Sequence, residues 1–404
     1  MRILVQKFGG SSVADLECMK KVRSKVLAAR EEGYKVVVVL SARAGQTNAL
    51  LERAYQWSDE PDLAELDVLL TTGEQESVAL FSMLLHDAGV KARSILGFQI
   101  PIITDDSYGS ARIDSIDATH LRELFETYDV LVMAGFQGRT PDMRLTTLGR
   151  GGSDTSAVAI AAALGNETRC DIYTDVDGVY TTDPRIVPNA RKLNEITYDE
   201  MLELASQGAQ VLHNRSVELA KKFRVNLEVV SSLERKPGTK VKEVTKVEKT
   251  NIAGVAKDTS IARIALIGLE HNPGVAFKVF DLLSKHHINV DIIIQSIGRE
   301  ESKDISFTIH KKDLEEAMQV LIDHKSSLKF DHIESDEHIG KVSIVGVGLM
   351  SNSGEAAKMF EALYEAGINI QMINTSEIRV SVLLDEADVN RAVKAVHAKF
   401  FDED

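Results

Sequence analysis

The sequence predicts an α/β fold: a mostly parallel sheet covered by helices on both faces, followed by two smaller α+β sandwiches. Three observations carry this. Continuous apolar β-rich runs alternate with helical patterns as far as about residue 232. Such runs belong to sheets buried on both sides. The glycine, serine and acidic clusters fall where those runs end, which is where ligands bind in such sheets. The remaining chain repeats itself at a constant offset of 80 residues.

The elements follow in order. The run ILVQKF (from Ile3 to Phe8) reads as a strand leading through Gly9 and Gly10 into a helix. That helix carries Val13, Leu16, Met19, Val22 and Val26 at helical spacing. VVVVL (from Val36 to Leu40) and the run from Val130 to Ala134 are buried strands. An apolar helix over roughly residues 155–164 and a short strand over 171–174 come next. ERKPGTKVKEVTKVEKT (from Glu234 to Thr250) is charged and holds Pro237-Gly238, so a linker or edge strand and a domain boundary are expected there. Beyond it, the stretch from Asn272 to Ser296 matches that from Asn352 to Ser376; Gly274 aligns with Gly354, Phe280 with Phe360 and Asn289 with Asn369. Each copy reads strand, turn, helix, strand, strand, helix. The expected division is residues 1–246, 247–332 and 333–404.

Composition narrows the function classes. With 44% hydrophobic and 27% charged residues the chain is ordinary for a globular protein. No apolar run reaches the roughly 20 residues of a membrane span and no signal-peptide pattern opens the chain, so a cytoplasmic protein is expected. A net charge of −14 argues against nucleic-acid and anionic-membrane surfaces. Cys18 and Cys170 give neither a disulfide framework nor a zinc spacing.

Two Gly/Asp-rich cassettes hold the densest chemistry: GRGGSDT (from Gly149 to Thr155) and TDVDGVYTTDPR (from Thr174 to Arg185). The first sets an arginine, backbone donors and a carboxylate where a helix begins, a ready anion site. Lys7 stands before Gly9-Gly10-Ser11-Ser12, where an ammonium can sit beside phosphate oxygens. The lysine precedes the glycines, so this is not a P-loop, and the protein-kinase catalytic motifs are missing.

Taken together, Lys7-Phe8-Gly9-Gly10-Ser11-Ser12-Val13, Ser41-Ala42, Thr72-Gly73-Glu74 and the two cassettes occur in the order and spacing of the aspartokinases. The chain resembles that family, a branch of the amino-acid kinases, from end to end, because its tail is similar to the tandem ACT domains of the same enzymes. The resemblance implies transfer of the γ-phosphoryl group of ATP to the side-chain carboxylate of aspartate, the first step toward lysine, threonine and methionine. That carboxylate is already ionised at neutral pH, so positioning and charge neutralisation are required more than a base.

Site roles follow from the same resemblance. Lys7 stabilises the transferring group and Asp154 orients it. Arg150 grips the α-carboxylate of aspartate and Glu74 receives its α-amino group. Ser41, Thr47 and Ser153 supply hydrogen bonds, beside Gly151 and Gly152. Nucleotide contacts are expected from Lys7, Phe8, Gly9, Gly10, Thr174, Asp175, Tyr180, Arg185 and Gln210, with Mg²⁺ carried chiefly by phosphates and water. His213 lies in a segment that the family places near the nucleotide, although a packed histidine is the blander reading. Gly274, Ala276, Asn289, Asp291, Gln295, Asn369 and Ile370 match the effector pocket of feedback-regulated relatives, whose usual effectors are lysine, threonine or both. A homo-oligomer through the ACT units is expected, and no fused dehydrogenase. Ser11, Arg43, Gln210 and His271 depart from the family pattern; Arg43 adds a cation and Gln210 removes one.

Overall fold

The computed structural model describes residues 1–99, 102–165, 167–206, 211–234, 236–243, 252–270, 272–297, 302–349, 352 and 354–402, with the side chains of Ile297 and Ser302 left out. The chain divides into two compact units. Of the described residues, one holds 1–180, 191–206 and 211–243; the other holds Thr181–Ala190 and 252–402.

The first unit is built on an eight-stranded sheet. Its order is Glu195–Thr197, Thr239–Lys242, Asn226–Ser231, Arg169–Thr174, Ile3–Phe8, Lys35–Leu40, Val130–Ala134, Ala92–Ile95. Every neighbouring pair is parallel except Asn226–Ser231 with Thr239–Lys242. The charged stretch after Glu234 therefore begins as a strand of this sheet; residues 244–251 lie outside the described residues. Side chains alternate across a strand, so both faces must find cover. Val36, Val38, Leu40, Val130 and Val132 pack with Met19, Val22 and Val26 of the helix Leu16–Glu31 and with Val78, Phe81 and Leu85 of the helix Leu63–His86. Val37, Val39, Leu131 and Met133 point the other way and are equally buried. The helix Gly152–Leu164 is buried along almost its whole length.

Two local expectations shift. The apolar helix begins at Gly152 and not near residue 155, because Gly151 takes the left-handed φ of +71° that starts it. In the first helix Leu16 is exposed: Asp15 caps at this point, accepting the Cys18 N–H at 2.8 Å, and a first-turn residue has no core beneath it. A four-stranded sheet of Ile113–Ile116, Ile102–Thr104, Gln137–Arg139 and Leu145–Thr147 leads into the first cassette.

The second unit contains the repeat as two four-stranded antiparallel sheets. Ile261–Glu270, Val290–Ile297, Ser302–His310 and His332–Asp336 form one, packed on the helices Val275–Lys285 and Leu314–Asp323. Ile252–Asp258, Ile339–Gly346, Met372–Ser376 and Arg379–Asp385 form the other, packed on Gly354–Glu365 and Val389–Phe401. The sheets cut across the division expected at residue 332. His332–Asp336 straddles that boundary and pairs with the first repeat, while Ile252–Asp258 precedes the first repeat and pairs with the second. In each repeat a flanking strand covers one edge of the sheet, while Val290–Ile297 and Met372–Ser376 remain at the other edge. The fully buried Lys341 reaches from the second repeat to Asp291 of the first, and 3.9 Å to Asp258. Ile261, Ile292, Ile339, Met372 and Leu383 form an apolar cluster beside it.

Replacing Phe81 by alanine removes a fully buried ring from the core of the first unit. A loss of about 3–5 kcal/mol is expected, read as a lower urea midpoint by far-ultraviolet circular dichroism. Trp57 is 89% exposed, so its fluorescence is a poor reporter. An unchanged midpoint would contradict the core assignment.

Candidate active site

The polar groups gather at the carboxyl ends of the central strands. Lys7 stands one residue before the end of Ile3–Phe8, Ser41 follows Lys35–Leu40, and Phe136 lies two residues beyond Val130–Ala134. With Gly9, Gly10, Ala42, Thr47, Glu74 and the run from Gly149 to Asp154, they line one cleft of about 440 Å³. Lys7, Ser41, Thr47, Glu74, Arg150, Gly151, Gly152, Ser153 and Asp154, named from separate parts of the sequence, are thereby brought together.

At the cleft floor Lys7 Nζ lies 2.6 Å from Asp154 Oδ1, with both side chains about one-eighth exposed. Asp154 occupies the first turn of the helix Gly152–Leu164, so the positive end of that helix and the ammonium face the same space. The backbone comes close here for a steric reason. A Cβ on Gly10 would lie 2.7 Å from the Ala42 carbonyl oxygen, and one on Gly151 would lie 2.2 Å from the His213 ring. His213 is thus packed against the anion loop, and burial lowers its pKa.

Glu74 comes from the middle of the helix Leu63–His86 and is 3% exposed. Its Oε1 accepts the Ala42 N–H at 2.9 Å, while Oε2 is buried with no hydrogen-bond partner among the described residues. Burial pushes its carboxyl up to about 7. A carboxylate short of one partner at the wall of a cleft can accept an ammonium. Arg150 is exposed and makes no ion pair among the described residues. Arg43, which adds a cation beside the cleft, is neutralised by Glu76 at 2.8 Å.

The second cassette is less compact. Thr174 ends its strand and donates its hydroxyl to Asp175 at 3.1 Å. Tyr180 donates to Asp177 at 2.7 Å, and Lys192 closes on the same carboxylate at 3.4 Å. None of these lines the cleft above. Phe8 is wholly buried and stacks on Tyr173 at 4.4 Å, so only its backbone faces the site; its carbonyl accepts the Ser41 N–H. Arg185 belongs to the segment Thr181–Ala190 of the second unit, where its guanidinium grips Asp183 at 2.8 Å. Gln210 and His271 lie outside the described residues.

Among the effector candidates, Gly274 caps the helix Val275–Lys285 with φ +93° and Ala276 sits in its first turn. Asn289, Asp291 and Gln295 lie exposed on or beside an edge strand. Asn369 and Ile370 precede the edge strand Met372–Ser376. Sequence patterns passed over Asp67 and Phe136. Phe136 sits in the cleft wall at φ +68°, its N–H donating to Ser156 Oγ at 3.1 Å. Its position directly after a buried strand was the available signal.

Fold and cleft define a kinase of the amino acid kinase family, and the model of that family matches residues 2–231. An ACT-domain family matches residues 264–324 and 342–400. The aspartate kinase of Pseudomonas putida is 47% identical over 402 residues, covering 99% of this chain and 98% of that protein. The aspartokinase of Pseudomonas aeruginosa is 46% identical over 403 residues, again 99% and 98%. Aspartokinase III of Escherichia coli, in complex with aspartate and ADP, superposes with a TM-score of 0.83 at 28% identity over 99% of this chain and 100% of that one. A second form of that enzyme holds lysine and aspartate and gives a TM-score of 0.77. The chain belongs to the aspartokinase family.

Glu74 makes stability depend on pH. The unfolded carboxyl ionises near 4.5 and the folded one near 7. Between these values the folded state holds the extra proton, so stability falls as pH rises through that window. Glu74→Gln should therefore gain melting temperature relative to the parent on going from about pH 5 to about pH 8. An equal difference between the two proteins at both pH values would refute the burial argument.

Proposed function

We propose that this enzyme phosphorylates the side-chain carboxylate of L-aspartate with ATP, giving 4-phospho-L-aspartate and ADP, on the common path to lysine, threonine and methionine. One observation carries the reading. A single cleft holds the Lys7–Asp154 pair at a helix start, the exposed Arg150 and the unsatisfied oxygen of Glu74. An α-amino acid needs a cation for its carboxylate, an anion for its ammonium and a phosphate site for its side chain.

In this reading Arg150 takes the α-carboxylate in a bidentate grip. Glu74 takes the α-ammonium, whose charge favours the ionised form of a carboxyl that burial otherwise keeps protonated. The side-chain carboxylate is left facing Lys7. One of its oxygens forms a bond to the γ-phosphorus as the bond to the ADP oxygen breaks, and the electron pair leaves with ADP. No proton is transferred, which suits a floor made of an ammonium, its orienting Asp154 and a helix dipole. Thr174, Asp175 and Tyr180 are assigned to the nucleotide, together with the backbone at Phe8, Gly9 and Gly10; Arg185 and Gln210 complete that set. Mg²⁺ would be carried chiefly by phosphate oxygens and water, and the ion would supply charge neutralisation.

The tail is proposed to sense lysine, threonine or both through Gly274, Ala276, Asn289, Asp291, Gln295, Asn369 and Ile370. The lysine complex of the Escherichia coli relative supports lysine. Pairing of repeats between copies and a cytoplasmic location belong to the same proposal. No helix among the described residues is long and apolar enough to cross a membrane.

An ATP-dependent hydroxamate assay with aspartate, glutamate and acetylglutamate tests the reaction; no product from aspartate sinks it. Lys7→Ala should lower kcat by about a hundredfold or more with little change in KM for ATP. Full turnover would remove Lys7 from its role. Gln295→Ala should blunt inhibition by lysine or threonine and spare basal turnover, and unchanged inhibition would move the effector site elsewhere.

A further inference from the structure

Glu74 is not the only buried carboxylate on its helix. Seven residues earlier, Asp67 is 1% exposed and takes no part in the cleft. Two helical turns separate them, about 10 Å along the axis, so both project from neighbouring parts of one helix face. Asp67 gathers donors from the turn between the strands Ile102–Thr104 and Ile113–Ile116 and from the strand Leu145–Thr147. Gly109 N–H reaches its oxygens at 3.0 and 3.1 Å. Thr147 N–H reaches Oδ2 at 2.8 Å and the Thr147 hydroxyl reaches Oδ1 at 2.6 Å.

That turn and strand deliver the first cassette. Ala111 N–H donates to the Thr147 carbonyl at 2.8 Å. Arg215 ties the same pair from its far end, donating to the Leu148 carbonyl at 2.8 Å and the Ala111 carbonyl at 2.7 Å. Gly149 then turns with φ +76° against the Gly109 carbonyl, so closely that a Cβ would lie 3.0 Å from that oxygen. The next residue is Arg150. A carboxylate that accepts from both the turn and the strand fixes them to the helix, and buried donors of this kind tolerate no vacancy.

We propose that Asp67 is a positioning residue for substrate recognition. From the helix that carries Glu74 it holds the strand Leu145–Thr147 that leads to Arg150 and the turn at Gly109 that packs against Gly149, and so sets the span between the ammonium site and the carboxylate site. The inference rests on the proposed roles of Glu74 and Arg150. A fixed span matches the separation of the α-ammonium and α-carboxylate, which every α-amino acid shares, so Asp67 acts on the affinity for the amino acid and not on the length of its side chain. Asp67 touches neither substrate nor nucleotide, and its effect belongs to one substrate only.

The test is steady-state kinetics of the full chain by hydroxamate formation, with aspartate and ATP varied separately. Asp67→Asn places an amide N–H against donor groups. It should raise KM for aspartate by between about tenfold and about a hundredfold and leave KM for ATP within about twofold. Thr147→Val removes one donor and should move KM for aspartate the same way, while Thr147→Ser keeps the hydroxyl and should restore it. An unchanged KM for aspartate in both Asp67→Asn and Thr147→Val overturns the proposal. So does a parallel rise in both KM values, which marks a general loss of structure. Should Asp67→Asn fail to fold, the Thr147 pair decides alone. Failure of the underlying reading looks different: the wild type then makes no hydroxamate from aspartate, and the same KM comparison is read on whichever carboxylate it does accept.

Discussion

A sheet buried on both faces can show its polar groups only at the ends of its strands, and this constraint organises the first unit. Val36 to Leu40 and Val130 to Ala134 are apolar without interruption because each side chain meets a helix on one face or the other. Lys7, Ser41 and Gly135-Phe136 are the first residues released from that requirement. The helix Gly152–Leu164 can lie so deep because its residues are mostly alanine, valine and isoleucine. Its one charged residue, Asp154, stands in the first turn, where the cleft opens.

Within the cleft the charges are set at unequal depth. Lys7 and Asp154 satisfy each other at 2.6 Å, which holds the ammonium in place before any ligand arrives. Glu74 keeps one oxygen in reserve, and its raised pKa measures what that reserve costs the folded protein. A ligand ammonium repays it. The arrangement therefore favours a zwitterion over a simple anion, since an anion alone would leave Glu74 without its partner.

Much of this was legible in the sequence, and the exceptions share a physical cause. Residues that announce themselves by type and position, such as Lys7 before two glycines or Arg150 and Asp154 in a glycine-rich helix start, landed in one cleft. Asp67 could not be found this way: an aspartate in ELDVLL looks like any helix residue until Gly109 and Thr147, distant in sequence, are seen to converge on it. For Phe8 the motif left open which atoms count, because it records which residues occur together and not which atoms face a ligand, and the ring is stacked on Tyr173. The sheet partners of Ile252–Asp258 and His332–Asp336 were hidden for a third reason. An internal repeat fixes what each copy contains but says nothing of which flanking strand closes which edge.

The second cassette shows how covalent order and packing order can separate. Thr174 to Tyr180 belongs to the first unit, where Tyr180, Asp177 and Lys192 hold one another. At Thr181 the same chain joins the second unit. Thr181 is hydrogen-bonded to the buried His397 at 2.9 Å, its carbonyl accepts the Val255 N–H at 2.7 Å, and Val187 lies in the core of the second repeat. The chain returns to the first unit at Arg191. A segment of ten residues with a buried valine and a buried threonine cannot shift independently of the helix Val389–Phe401 that covers it. Its two ends join Tyr180 and Arg191 of the first unit by peptide bonds. Arg185, named from sequence as a phosphate ligand, sits on that strap, and its position is accordingly set by the second unit.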